Sequence, residues 1–250
     1  SNTAKDFDWL MAHKPKDVNI IDLSQKIGLI ALQGPKSREI LNQIIDIDIN
    51  KLKFYRFEIA NFDNFSCTVS RTGYTGELGY EIYADNDSIV HIWDFIMTAG
   101  SDIIHPAGLG CRDTLRLEMK YALYGNDIDD NTNPIEAGLG WITKLDKKNN
   151  FIGKHALEKI NNSSDQFLVC IKMVDRGIPR KDYELLYNGE IVGKITSGTQ
   201  SPTLNSGIGL GYVQKIYSKI GTELEMLVRG KKLKCKIVKP PFYRKGSLKN

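Results

Sequence analysis

The sequence predicts an α+β fold in two parts, with strands and helices interleaved to about residue 160 and a small all-β domain after it. Three features support this. Apolar residues recur at helical spacing in several segments before residue 160, and little of that period survives beyond Gln166. Short runs bounded by turn residues recur from Phe167 onward. Asn188-Gly189 separates two of those runs, and both central positions of a type I′ turn need positive φ, which Asn and Gly tolerate.

Taken in order, a helix is expected from Thr3 to His13, with Ser1 or Asn2 as its cap, then a strand from Val18 to Leu23. Ile27 to Gln33 reads as a buried strand. It runs into Gly34-Pro35, where glycine turns the chain and proline suits a first helical position. Lys36 to Ile45 then shows helical spacing at Ile40, Leu41, Ile44 and Ile45. Strands near Tyr55 to Asn61 and Ser66 to Arg71 face each other across Phe62-Asp-Asn-Phe65. Cys67, Val69, Tyr80 and Ile82 alternate with polar neighbours at the strand period, and Gly73, Gly76 and Gly79 allow a tight turn between the two runs. Asp87 or Ser88 caps a helix through Thr98 that ends at Gly100, and Gly110 opens another. Beyond the polar stretch Asn161-Asn-Ser-Ser-Asp165, which places a domain boundary at 162/163, come strands at Phe167 to Met173, Tyr183 to Tyr187, Ile191 to Ser197, and Glu223 to Val238 broken at Arg229-Gly230. Short strands with tight turns suggest a small closed β-barrel or a sandwich.

With 250 residues and 41% hydrophobic content the chain can bury a substantial core. No run approaches the ~18 apolar residues of a membrane span, and the first residues lack the pattern of a secretory signal, so a cytosol-like compartment is expected. Cys67, Cys111, Cys170 and Cys235 are scattered, as are His13, His91, His105 and His155, which argues for reduced thiols and against a metal site or a disulfide framework. Glycosylation triplets at Asn64, Asn86 and Asn161 are read as accidental without a secretory route. Residues 161–250 carry 16 Lys and Arg against 7 Asp and Glu, a basic C-terminal part that suits an acidic partner or a solvated face. It lacks the aromatic-interleaved basic run of a nucleic-acid binder. Neither Gly108-Leu-Gly110 nor Gly207-Ile-Gly-Leu-Gly211 completes a dinucleotide fingerprint, and no Walker motif or Gly-x-Ser-x-Gly elbow occurs.

The densest chemistry lies in Arg71-Thr-Gly-Tyr-Thr-Gly-Glu-Leu-Gly-Tyr-Glu-Ile-Tyr83, which holds two carboxylates, three tyrosines and three glycines. Glu81 projects from a strand, and a carboxylate so held can accept paired hydrogen bonds from the N–H edge of a flat heterocycle. An exposed hairpin solvated by its glutamates is the alternative. Glu77 reads as a turn residue.

A second group of motifs comprises Gly108-Leu-Gly-Cys-Arg-Asp-Thr-Leu-Arg-Leu-Glu-Met-Lys120, Tyr121, Tyr124-Gly-Asn-Asp127 and Asn133-Pro-Ile-Glu-Ala-Gly-Leu-Gly-Trp141. With Ala31-Leu-Gln-Gly-Pro-Lys36, Phe151-Ile-Gly-Lys154 and Gly207-Ile-Gly-Leu-Gly-Tyr212, these resemble, in order and over nearly the whole chain, the aminomethyltransferase family of the glycine cleavage system, its T-protein. The resemblance implies folate-binding lobes in residues 1–162, with mostly antiparallel sheets, and a C-terminal β-barrel in 163–250. It implies transfer of an aminomethyl-derived one-carbon unit from a lipoylated H-protein to tetrahydrofolate, with release of ammonia and no metal. The compartment would be the cytoplasm, or the mitochondrial matrix in a eukaryote.

By match to the family motifs, Glu81 would bind the pterin edge and Tyr74 would help to wall the ring. Arg112 would meet the anionic glutamate tail or a ring carbonyl, Tyr121 and Trp141 would line the cavity, and Arg244 would reach the same site. Residue by residue, Arg112 could instead pair with Asp113 or Glu118, and Tyr121 and Trp141 could be core residues. Family members begin with a further N-terminal segment that carries the aspartate credited with catalysis, so no catalytic residue is assigned and the 250 residues alone are expected to bind folate weakly without turnover. Two other readings stay open: a folate-dependent demethylase or amine-oxidation partner of the same superfamily, and a non-catalytic folate-binding protein. Relatives of the last kind carry a Lys-Gly-Cys-Tyr signature, where this chain has Gly138-Leu-Gly-Trp141.

Overall fold

The computed structural model describes residues 2–160 and 164–249, which form two compact units, Ser1–Pro106 with Gly246–Asn250, and Ala107–Lys245. The boundary expected at 161–165 includes residues 161–163, which lie outside the described residues.

The first unit contains α1 (Thr3–His13), β1 (Ile27–Gln33), α2 (Ser37–Leu41), β2 (Phe57–Phe62), β3 (Phe65–Ser70), β4 (Gly79–Asp85) and α3 (Asn86–Ala99). Its strands make an antiparallel sheet in the order β1-β4-β3-β2. Strand alternation sends Ile30, Leu32, Val69, Tyr80 and Ile82 to one face, where Ile92 and Ile96 of α3 and Ile40 and Leu41 of α2 cover them. The opposite face is open in this unit and carries exposed Leu29, Phe57 and Ile59.

Four expectations change here. Residues 18–23 form no strand, because nothing in the sheet pairs beyond β1 and Ile21 is left 69% exposed. β1 is half-buried rather than buried, as an edge strand with one covered face must be. The helix expected over 36–45 closes after Leu41, with Ile44 and Ile45 held by turn hydrogen bonds to the Leu41 carbonyl. The cap of α3 is Asp85, not Asp87 or Ser88, and its carboxylate accepts from the backbone N–H of both.

The bonds from Ser88 hold the Asp85 carboxyl below its ordinary value. A lowered folded pKa stabilises the fold above the ordinary carboxylate range, and that contribution is lost as the pH falls through the folded value. Asp85→Ala is therefore expected to melt below the parent at pH 7, and the gap should close in acid; thermal melts across pH check both.

In the second unit α4 (Leu109–Glu118), α5 (Gly140–Thr143) and α6 (Lys154–Ile160) precede β5 (Gln166–Met173), β6 (Glu184–Tyr187), β7 (Glu190–Ser201), β8 (Ser206–Gln214), β9 (Glu223–Val228) and β10 (Lys231–Val238). These strands close into a barrel in the order β10-β5-β8-β7-β6-β9, so the expected α+β architecture ends in a barrel and not a sandwich. Ile171, Leu185, Ile195, Met226 and Ile237 fill it, and Leu117 of α4 packs with Leu168, Ile208 and Leu210 of β5 and β8. Asn188 and Gly189 have φ of 52° and 88°, as the type I′ reading requires. β8 holds the Gly207-Ile-Gly-Leu-Gly-Tyr212 motif, a stretch that no expected strand covered.

Candidate functional site

In the first unit the site is built on the turn between β3 and β4. Gln33, the last residue of β1, braces it: its Nε2 donates to the carbonyls of Thr72 and Tyr80, each at 3.2 Å, and its Oε1 accepts from the Thr75 hydroxyl at 3.1 Å. A Cβ on Gly73 or Gly79 would lie 2.0 or 2.2 Å from that Oε1, so the two glycines make room for the amide. Glu77 does more than turn the chain. Its Oε2 accepts from the N–H and the hydroxyl of Ser247 at 2.8 and 2.5 Å, and the Leu78 N–H donates to Ser247 Oγ at 3.0 Å, which fastens Ser247 to this turn.

Glu81 follows on β4, half-buried and directly opposite Ser70 of β3 and Ala31 of β1. Its Oε2 accepts from the Thr72 hydroxyl. Burial, then the charge of Glu81 and a hydrogen bond to it, push the Tyr83 hydroxyl pKa up. By register the row Ala31, Glu81, Ser70, Phe57 lies on the open face, beside the row Leu29, Tyr83, Thr68, Ile59. Such a carboxylate, accepting from a hydroxyl on a partly apolar sheet face, suits a flat ligand with a donor-rich edge. Tyr74 sits half-buried in the turn that leads to it.

The other candidates belong to the second unit. The helix expected to open at Gly110 is capped by Gly108 and starts at Leu109, which puts the exposed Arg112 at its fourth residue. Of the acids weighed as its partners, Asp113 Oδ1 accepts from Arg116 Nε at 2.8 Å and Glu118 Oε1 from the Ser201 hydroxyl at 2.5 Å. Tyr121 is half-buried, and its carbonyl accepts from Arg116 Nη1. Trp141 is 70% exposed and so is no core residue of its unit. Arg244 folds over its own loop, donating through Nη2 to the Lys239 carbonyl at 3.1 Å, while the preceding Tyr243 N–H donates to the Glu118 carbonyl.

Tyr74 and Glu81 thus share one unit, and Arg112, Tyr121, Trp141 and Arg244 the other. A groove of about 640 Å³ in the second unit is lined by Asp127, Asp129, Lys181, Lys194, Thr196 and Tyr212 among others, and none of the six candidates lines it. Sequence reasoning missed Arg116, which is 1% exposed and paired with Asp127 at 2.6 Å. Among the described residues no group of His, Cys, Asp and Glu is placed to hold a metal ion, and no helix is long and apolar enough to cross a membrane. Burial pushes the thiols up, Cys67 to about 11 and Cys170 and Cys235 to about 12, which suits inert packing.

Residues 1–147 match the GCVT N-terminal domain, and residues 167–244 match the glycine cleavage T-protein C-terminal barrel domain. The aminomethyltransferase of Halothermothrix orenii is 46% identical over 244 residues, 97% of this chain and 68% of that protein. That of Bacillus subtilis is 44% identical over 248 residues, 98% of this chain and 68% of that protein. The crystal structure of glycine cleavage system aminomethyltransferase T from Bartonella henselae matches with a TM-score of 0.89 at 30% identity, over 98% of this chain and 67% of that one.

Proposed function

The chain belongs to the glycine cleavage T-protein family of aminomethyltransferases, and from that premise we propose that it moves an aminomethyl-derived one-carbon unit from a lipoylated H-protein onto tetrahydrofolate, releasing ammonia. The observation that carries the folate assignment is Glu81, a carboxylate held by the Thr72 hydroxyl on a strand beside exposed apolar side chains. The pterin presents two adjacent N–H donors, and a carboxylate accepts such a pair with energy and orientation together. Tyr74 would wall the ring, Arg112 would meet the anionic tail or a ring carbonyl, Arg244 would reach the same site, and Tyr121 and Trp141 would line the cavity. Residues 1–162 would form the folate-binding region and 163–250 the barrel.

Holding the folate nitrogens against the aminomethyl carbon would supply most of the rate, since an oriented pair of reactants avoids much of the entropic cost of encounter. A nearby carboxylate would stabilise the developing iminium charge. We place that carboxylate in the part of the family's length outside the region matched here, and assign it to no residue of this chain.

The test is calorimetric titration with 5-formyltetrahydrofolate, a stable reduced folate, with ammonia release from an aminomethyl-loaded donor as a second readout. Glu81→Gln removes a charge-assisted acceptor and is expected to weaken binding about tenfold or more. Equal affinity of variant and parent would remove Glu81 from the site. Turnover by the 250 residues alone would refute the placement of the catalytic carboxylate.

A further inference from the structure

We propose that Thr72 and Tyr83 are positioning residues that hold the Glu81 carboxylate as an acceptor-only reader of a cyclic amidine edge, and so set which heterocycles the first unit accepts. The inference rests on the folate reading of Glu81.

Glu81 and Tyr83 are two apart on β4 and point to the same face, where their β3 partners are Ser70 and Thr68. Thr72, two residues beyond Ser70, reaches back to Glu81 Oε2, and its Oγ1 lies 3.0 Å from Ser70 Oγ. A threonine hydroxyl has one proton. The bond to a charged acceptor is the stronger, so that proton goes to Glu81 and the Ser70 hydroxyl donates to Thr72. Thr72 is itself held in place, because its branched side chain is stiff at χ1 and its carbonyl is fixed by Gln33 Nε2. Tyr83 stands on the same face two residues along the strand, close enough for the charge of Glu81 to help push its hydroxyl pKa up, which places that hydroxyl to be a second donor.

Two such donors would satisfy about half of the four or so acceptor sites of a carboxylate and fix the plane of the rest. The carboxylate so held favours rings that present two adjacent N–H groups, as a 2-amino-4-oxo pyrimidine does. A ring without the exocyclic amine satisfies only part of it and leaves a polar group underused, the situation that gives the sharpest discrimination. Thr72 and Tyr83 thereby act on specificity through Glu81 and need not touch the ligand.

The experiment is a double-mutant cycle in the full chain, read by titration with 5-formyltetrahydrofolate and with its 2-desamino analogue. Thr72→Val and Tyr83→Phe are each expected to weaken the first ligand about three- to tenfold, while Thr72→Ser, which keeps the hydroxyl, stays within about twofold. In a Glu81→Gln background Thr72→Val should cost nothing further, because residues acting through one carboxylate are not additive. The 2-desamino analogue should bind the parent weakly and be unmoved by Thr72→Val. Thermal melts confirm that the variants fold; if Thr72→Val does not, Tyr83→Phe carries the same cycle. Parent-like binding by Thr72→Val, or an undiminished loss in the Glu81→Gln background, overturns the proposal. Parent-like binding by Glu81→Gln sinks the folate reading itself, whatever Thr72 does.

Discussion

Replacing Arg116 by alanine is expected to destabilise the second unit by about 3–5 kcal/mol, the usual cost of leaving a buried charge without its partner. Arg116 directs Nε and Nη2 at Asp113 Oδ1, at 2.8 and 2.6 Å, and Nη1 at Asp127 Oδ2 and the Tyr121 carbonyl, at 2.6 and 3.1 Å. Nη2 also donates to Ser197 Oγ at 2.8 Å, which ties α4 to β7. Asp127 has no exposed side-chain surface and also accepts from the Thr196 hydroxyl at 2.5 Å and the Leu123 N–H at 2.9 Å. Alanine would strand that carboxylate with neutral donors alone. For a unit of this size the loss corresponds to a fall in melting temperature on the order of 6–20 °C. Lysine should rescue little, since one ammonium cannot reproduce a planar fork with several fixed donors. Removing both charges, as Arg116→Met with Asp127→Leu, should recover much of the loss. A melting temperature for Arg116→Ala within about two degrees of the parent would contradict this account. The same network supports the helix that bears Arg112 and the backbone of Tyr121, so partial loss of folate binding should accompany the loss of stability.

Which parts of the molecule were legible in the sequence follows from where the deciding interaction lies. β3 and β4 could be read because alternation around Cys67, Val69, Tyr80 and Ile82 is a local record of which face is covered. The run Val18 to Leu23 is as apolar, yet a strand also needs a paired neighbour, and the run does not take up the open edge that β1 offers, which no local pattern records. The cap of α3 was misplaced because Asp85, Asp87 and Ser88 are all good capping residues, and only the extended backbone of Asp85, at φ −60° and ψ 162°, selects among them. Glu81 was found as a strand carboxylate, but the donor that orients it was not, since Thr72 lies past the end of β3 and its reach back to Glu81 leaves no mark in local spacing. Glu77 and Ser247 are 170 residues apart, beyond any local pattern. Arg112 and Arg116 lie one turn apart on the same helix, and no local signal tells which is buried; what distinguishes them is the acceptor set that the 121–127 loop and β7 bring to Arg116.

Gly207→Ala is expected to destabilise the barrel by about 1–3 kcal/mol, against the usual direction for such a change. Glycine in a strand costs backbone entropy, and alanine at a compatible position commonly stabilises by about 0.4–1 kcal/mol through the unfolded chain. Gly207 is not among the positive-φ glycines, so the backbone itself would accept alanine. Space decides the sign. A Cβ there would lie 2.1 Å from the Gly177 carbonyl oxygen and 2.8 Å from Met173 Cγ, and a backbone oxygen can yield only if its loop moves. The neighbouring cross-strand pair Gly198 and Gly209 shows the same constraint, with Cβ positions 2.4 Å from the Pro179 carbonyl and 3.0 Å from Pro179 Cβ. Three glycines on β7 and β8 therefore form a shallow seat over which residues 177–179 cross. This is why a glycine-rich run can be a buried strand: its missing side chains are replaced by another segment's backbone. Gly110 is the control, in α4 with nothing within 4 Å of a Cβ, where alanine should add about 0.8–1 kcal/mol of helix stability. Urea midpoints that rise for Gly110→Ala and fall for Gly207→Ala would support the seat; a rise for both would mean that residues 177–179 yield easily and that the glycines of β8 are there for some other reason.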